Sequence, residues 1–194
     1  MTLGRFTARL VIGGLFVGHG TQKLFGWFGG PGIEGTEQMM GALRMHPTRP
    51  NAIAAGVTET TGGALLVAGA ATPLAAAGLI GTMITAIRKV HKPQGPWVAE
   101  GGWEYNAVLI AALMSLVDTG PGELSVDALR GRDEWGPLWA LGGLALGAAA
   151  SSAVVSLGSR NAPEPGDASG DPEDSTVAKA VVDDTAGDPV TAES

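Results

Sequence analysis

The chain has 194 residues, 45% hydrophobic and only 16% charged, with a mean hydropathy of +0.20; soluble domains carry about a quarter of their residues as charges, so a membrane protein is predicted. The net charge of −7 resides in residues 159–194, where nine acidic residues accompany two basic ones, while the remainder holds ten of each; with no basic face and no basic–aromatic interleaving, nothing points to nucleic acid. The lack of cysteine excludes disulfides, thiol relays and thiolate-bound metals within the chain.

Five apolar segments follow one another. The first, 6–25, comes after Arg5 and contains Arg9, a superficial likeness to a signal peptide. No small-residue cleavage site follows, and the run passes directly into His19-Gly20-Thr21-Gln22-Lys23-Leu24-Phe25-Gly26-Trp27-Phe28-Gly29-Gly30, so a retained membrane helix is predicted. A long loop, 27–50, leads to the second segment, 51–71, which holds Glu59 as its one acid. Thr72-Pro73 alone joins it to the third, 74–90, predicting a tight antiparallel hairpin with proline at a helix break or first turn. The loop 91–102 contains His91, Pro93, Pro96 and Trp97, and the fourth segment, 103–117, opens with Glu104-Tyr105-Asn106. A polar loop, 118–135, is predicted to lie in solvent, and the fifth segment covers 136–157.

Backbone groups in lipid must be hydrogen-bonded within the segment, so each apolar run is predicted helical, and the alternation of a β-barrel is absent. The predicted fold is all-α: a transmembrane antiparallel four-helix bundle over 1–120, a polar loop plus an additional fifth transmembrane helix over 121–158, and a disordered acidic C-terminal tail over 159–194, rich in Pro, Gly and acids. Close helix packing is expected at Gly14 with Gly18 and at Gly143 with Gly147.

Antiparallel neighbours bring the end of segment one, the start of two, the end of three and the start of four to one side of the bundle, here called the mouth. At 1.5 Å per residue, His19 lies roughly 9 Å and Glu59 roughly 12 Å from that surface. Gln22 and Lys23 are shallower, and His91 and Glu104–Tyr105 border the same side. The apolar part of segment four, 107–117, is too short to span unless 103–106 also enter the membrane, which draws Glu104 inward. Ionisable groups at depth are costly and usually functional. Glu59, His19 and Lys23 are therefore the candidate catalytic residues, with Gln22, Glu104, Tyr105 and His91 as candidate cofactor-binding residues.

Plainer roles compete with these. Glu59 and His19 could bond between helices, Gln22 could pack and bond locally, and Lys23 could extend to the interface. His91 could belong to a basic cluster with Arg88, Lys89 and Lys92, and Trp27, Trp97 and Trp103 could anchor the interface. The opposite side offers mainly Arg5, Arg9, Thr72 and Asp118. His19, His91, Glu59 and Glu104 match no compact metal-ligand spacing, so no metal is assigned. No nucleophile elbow, Walker loop or dinucleotide fingerprint is present.

The stretch His19 to Gly26 with Gly29-Gly30 resembles the signature of the DoxX family. Glu59-Thr60-Thr61-Gly62-Gly63, Gly69-Ala70-Ala71-Thr72-Pro73-Leu74-Ala75-Ala76 and Gly102-Trp103-Glu104-Tyr105-Asn106 are similar to its later patterns, so the resemblance spans about residues 3–117. It implies a four-helix integral membrane bundle associated with redox chemistry; relatives include a membrane subunit of thiosulfate:quinone oxidoreductase, and others partner soluble redox proteins. The fifth helix and acidic tail depart from that pattern.

The expected function is a multi-pass plasma-membrane subunit of an oxidoreductase system, with a quinone at the mouth as the candidate cofactor. His19 or Lys23 would bond a quinone carbonyl, and Glu59 would exchange a proton. Membrane lipid, soluble redox proteins and a second copy of the chain are the candidate partners. Two alternatives stand beside it: a non-catalytic membrane scaffold whose tail recruits a soluble protein, and a small-solute or proton pathway centred on Glu59. Arg5 and Arg9 favour a cytoplasmic N-terminus, whereas Arg44, Arg49, Arg88, Lys89 and Lys92 favour the reverse.

Overall fold

A computed structural model describes residues 2–163, which contain helices and no strand. Five long helices correspond to the five apolar segments: α1 (Thr2–Phe25), α3 (Thr48–Ala68), α4 (Thr72–Ala86), α5 (Glu104–Asp118) and α7 (Pro137–Arg160). Two shorter ones, α2 (Gly32–Ala42) and α6 (Val126–Leu129), lie in the connections. Through a π-helical turn at Ile87–His91 and a 3-10 turn at Lys92–Gln94, α4 continues as one rod over Thr72–Gln94. That rod and α7 are the two helices long and apolar enough to cross a membrane, with mean hydropathies of 1.2 and 1.7. By composition, α1 is diluted by Arg5, Arg9 and Lys23, and α3 by Arg49 and Glu59.

Packing follows the small residues. The most extensive pairing is α1 against α3, and it is antiparallel. A Cβ added to Gly13 would stand 2.6 Å from the carbonyl oxygen of Gly63, and one added to Gly20 would stand 2.6 Å from that of Gly56. The backbones touch where only glycine fits. Gly14 and Gly18 do not serve this contact: added methyls there would meet nothing within 4 Å. The glycines that pack are one or two positions away, on the other face of the helix. On α7 the expectation holds, since Gly147 lies against Ala77 and Gly81 of α4, with Gly143 nearer Pro73. These contacts ascend together with Thr85–Ser151 and Arg88–Ser152, so α7 runs parallel to α4 and contacts it along its length.

The core is a layer of aliphatic side chains that includes Leu66, Leu79, Ile80, Leu113 and Val117, joined by Phe16. A smaller cluster, Met40, Met45 and Ala52, lies beneath α2. At the other end of the bundle, here called the far side, α3 closes on Gly69 in the left-handed conformation (φ 62°). The turn to α4 is Gly69–Ala71; Thr72 and Pro73 already form the first turn of α4 rather than the connection.

Two connections differ from expectation. The loop 27–50 contains α2, held by Thr36, fully buried, whose hydroxyl donates to the Lys23 carbonyl at 3.1 Å. The loop 118–135 lies in solvent only in part: residues 129–134 are exposed as expected, whereas residues 120–122, Ser125 and Asp127 are buried against the bundle. Asp127 is 3% exposed, and its carboxylate accepts from the Ala71 and Thr72 amides (2.8 and 2.9 Å) and from the Thr72 hydroxyl (2.8 Å). The first turn of a helix leaves amides without partners, and this acid satisfies two of them. The same segment covers Arg9, which is fully buried and donates Nη2 to the Leu124 carbonyl at 2.5 Å. Arg5 donates to the Thr119 carbonyl.

α7 ends at Arg160, so Ser159 and Arg160 of the predicted tail are helical; residues 164–194, where the rest of that prediction falls, lie outside the described residues.

Candidate functional site

The geometry of the mouth is set by α1, α3, α4 and α5, with α2 and the end of α7 beside it. Between them lies a cavity of about 560 Å³, within the range of about 300–1,000 Å³ usual for small-molecule sites. His19 and Lys23 of α1, Glu59 of α3, His91 at the end of the α4 rod and Tyr105 of α5 all line it. Five of the seven residues selected from sequence thus share one cavity, although they come from four separate stretches.

The helical period explains the assembly. His19 and Lys23 are four apart and share a face of α1, as do Ala55, Thr58 and Glu59 on α3. Lys23 Nζ donates to Glu59 Oε2 at 2.5 Å, tying α1 to α3. The pair is asymmetric in burial: the Lys23 side chain is 22% exposed and that of Glu59 is 6% exposed. Lys23 therefore does not merely extend to the interface but neutralises the carboxylate. His19 is exposed at the edge, and its Nδ1 donates to Gln22 Oε1 at 3.1 Å. His91 Nδ1 donates to the Gly101 carbonyl at 2.7 Å, which leaves Nε2 as the acceptor nitrogen of the neutral ring.

Gln22 and Glu104 do not line the cavity. Gln22 packs against Gly30, behind the first turn of the 27–31 segment, and acts through His19. Glu104 accepts from the Val98 amide at 2.8 Å and closes the 98–104 turn. The short apolar core of α5 draws Glu104 to the end of the bundle, but its carboxylate is used by the backbone.

The remaining lining is mostly apolar, with Leu15, Phe16, Leu109 and Val154 among its members. Met39, Met40 and Met45 form a flexible thioether face near α2, and Met83 lies on α4. Methionines adapt to ligands of irregular outline. They escaped sequence reasoning because α2 was read as loop. Asn106, 6% exposed, donates to Met83 Sδ at 3.4 Å, and Thr82, Thr85 and Lys89 recur along the α4 face. The spacing of Gly78, Thr82, Thr85 and Lys89 was a readable signal for that face. Among the described residues no three His, Asp or Glu side chains gather as a metal set.

This arrangement provides hydrogen-bond donors (Lys23, Tyr105, Asn106), an imidazole acceptor and a carboxylate in a largely apolar chamber. It suits a flat or elongated apolar molecule with one or two polar oxygens.

Residues 4–92 match the family model described as DoxX. The match runs from Gly4 in α1 to Lys92 in the α4 rod and stops before Gly102–Asn106, so the similarity noted for that motif lies beyond it. No curated protein and no solved structure matches the chain.

Proposed function

From membership of the DoxX family, carried by residues 4–92, we propose that this chain is a multi-pass membrane subunit of an oxidoreductase system, with the mouth cavity as a quinone site. The observation that carries the reading is the convergence of His19, Lys23, Glu59, His91 and Tyr105 on one apolar chamber. A family whose members are membrane-associated, two strongly apolar helices, and α1 and α3 with their few charges paired or covered all support insertion of the bundle. Ionisable groups inside such a bundle mark functional positions.

The cavity chemistry suits a quinone. A quinone supplies a two-electron, two-proton couple with two carbonyl oxygens on an apolar ring. Lys23 and Tyr105 would donate to a carbonyl oxygen, with the His91 ring beside them. Glu59, held by Lys23, would exchange a proton with the mouth. A soluble redox partner at the same mouth would supply the electrons. Leu15, His19 and Tyr105 are exposed at the cavity edge, where α1 and α5 scarcely touch, which suits entry of a lipid-soluble molecule from the side.

The test is quinone binding and quinone-dependent turnover in membranes bearing the full chain or Glu59→Gln. We expect bound quinone to co-purify with the wild type and turnover to fall roughly tenfold or more in the variant, as for loss of a general acid–base group. Unchanged turnover and unchanged quinone content would overturn the reading. A scaffold role has one observation in its favour: Lys23 and Glu59 already satisfy each other without a ligand. Retention of all partner interactions in a Lys23→Met/Glu59→Leu variant that has lost turnover would separate the two.

A further inference from the structure

The far side carries a second concavity, of about 530 Å³, where α4 and α7 both begin. Its base is the first turn of α4, with Pro73 and Leu74; its walls are Arg130, Arg132, Trp135 and Trp139. It shares no residue with the mouth cavity.

Its charge is cationic in effect. Arg130 and Arg132 are exposed, and neither joins an ion pair among the described residues. Asp127 also lines the space, but both of its oxygens are taken by Ala71 and Thr72. Asp133 and Glu134 follow in the chain without lining it. The guanidinium of Arg132 lies over the Trp135 ring, 5.5 Å from its centroid, which fixes it beside the opening.

The wall also holds an unused donor. Trp135 Nε1 is buried with no acceptor among the described residues, a condition that costs stability unless a ligand or water supplies an oxygen. Trp135 meets Trp139 edge to face at 4.9 Å. Two indoles beside two arginines at the ends of apolar helices are the composition of a membrane interface.

Beyond the rim the surface turns apolar. Leu74 and Leu138 are 65% and 82% exposed, and they open the two helices with the length and hydropathy to cross a bilayer. A ligand seated here meets cationic donors at one end and unbroken hydrocarbon at the other.

We propose that this concavity binds the phosphate headgroup of an anionic phospholipid. Arg130 and Arg132 hold the phosphate, the indoles flank the glycerol region, and the acyl chains descend over Leu74 and Leu138. The inference rests on reading α4 and α7 as membrane spans and is independent of the quinone assignment at the mouth.

The test uses the full chain in a neutral detergent, with helical circular dichroism followed through thermal unfolding. Phosphatidylglycerol, phosphatidylcholine and inorganic phosphate are added separately. The expected result is a rise in Tm of several degrees with phosphatidylglycerol and none with the other two. Arg130→Gln/Arg132→Gln should bind phosphatidylglycerol about tenfold more weakly or worse, as expected for lost charge-assisted contacts. Trp135→Phe should lose part of the shift, and Lys92→Gln, at the mouth, should keep all of it.

An equal shift with phosphatidylcholine, an equal shift with inorganic phosphate alone, or a full shift in the double arginine variant would each overturn the proposal. Should the double variant fail to fold, the phosphatidylglycerol retained by Arg130→Gln and by Trp135→Phe in native mass spectrometry decides. Wild-type retention in both overturns it, and loss in both supports it.

Discussion

Lys23 and Glu59 illustrate how much one contact decides. A glutamate only 4% exposed within α3 would be costly alone, and its cation comes from a residue thirty-six positions away on another helix. Removing one partner of a buried pair leaves an uncompensated charge, whereas replacing both with apolar groups is often neutral. We therefore expect Glu59→Leu and Lys23→Met each to destabilise the protein, at the lower end of the usual range, about 3 kcal/mol, because Lys23 is partly exposed. The double variant should return close to wild-type stability in chemical unfolding. Asp127 should behave differently. It accepts from two amides and a hydroxyl, so Asp127→Ala should cost about 1–3 kcal/mol with no compensating partner change, read by the same unfolding curves. Glu59 was conspicuous in the sequence as the one acid of an apolar run. Asp127 was not, because Val126-Asp127-Ala128-Leu129 sits among polar residues, and nothing local tells a capping acid from a solvated one.

At the level of helices, glycines separate contact faces from open ones. A Cβ on Gly147 would lie 2.8 Å from the Ala77 carbonyl oxygen and 2.9 Å from Ile80 Cγ2, while one on Gly142 would meet nothing within 4 Å. Gly147→Ala should therefore cost about 1–3 kcal/mol through overpacking. Gly142→Ala should be neutral or stabilising by up to about 1 kcal/mol through helix propensity; thermal unfolding of the pair measures both. The five long helices were legible because hydropathy accumulates over twenty residues, and their observed ends fall within a few residues of the apolar runs. The short α2 was not legible. Gly35 and Gly41 interrupt it, Pro31 precedes it, and its helicity depends on Thr36 and the methionines beneath it rather than on propensity. The partners of Gly13, Gly20 and Gly63 were equally hidden, since a sequence so rich in glycine does not reveal which face meets a neighbour.

For the whole molecule, the alternation of α1, α3, α4, α5 and α7 places residue 97 and residue 161 at the mouth and residue 129 on the far side. The natural chain has no cysteine, so single introduced thiols report cleanly. Trp97→Cys and Asn161→Cys should be labelled by an impermeant maleimide from one face of intact membranes and Leu129→Cys from the other; labelling of all three from one face would refute five crossings. That alternation followed from counting apolar runs, and the clustering of His19, Lys23, Glu59, His91 and Tyr105 followed from it. What counting could not supply was the covering of the far side, because it depends on contacts between residues more than a hundred positions apart.

Arg9 carries this last point into biogenesis. Its acceptor at Leu124 and the nearby Asp127 are synthesised long after α1 has left the ribosome. During synthesis the first helix holds an unsheltered guanidinium until the segment around residues 124–127 has been made. A fragment ending at residue 92 would keep the entire family-matched segment yet never receive that shelter. Expressed alone, it should be cleared by membrane proteases, whereas a fragment ending at residue 162 should persist, as pulse-chase would record.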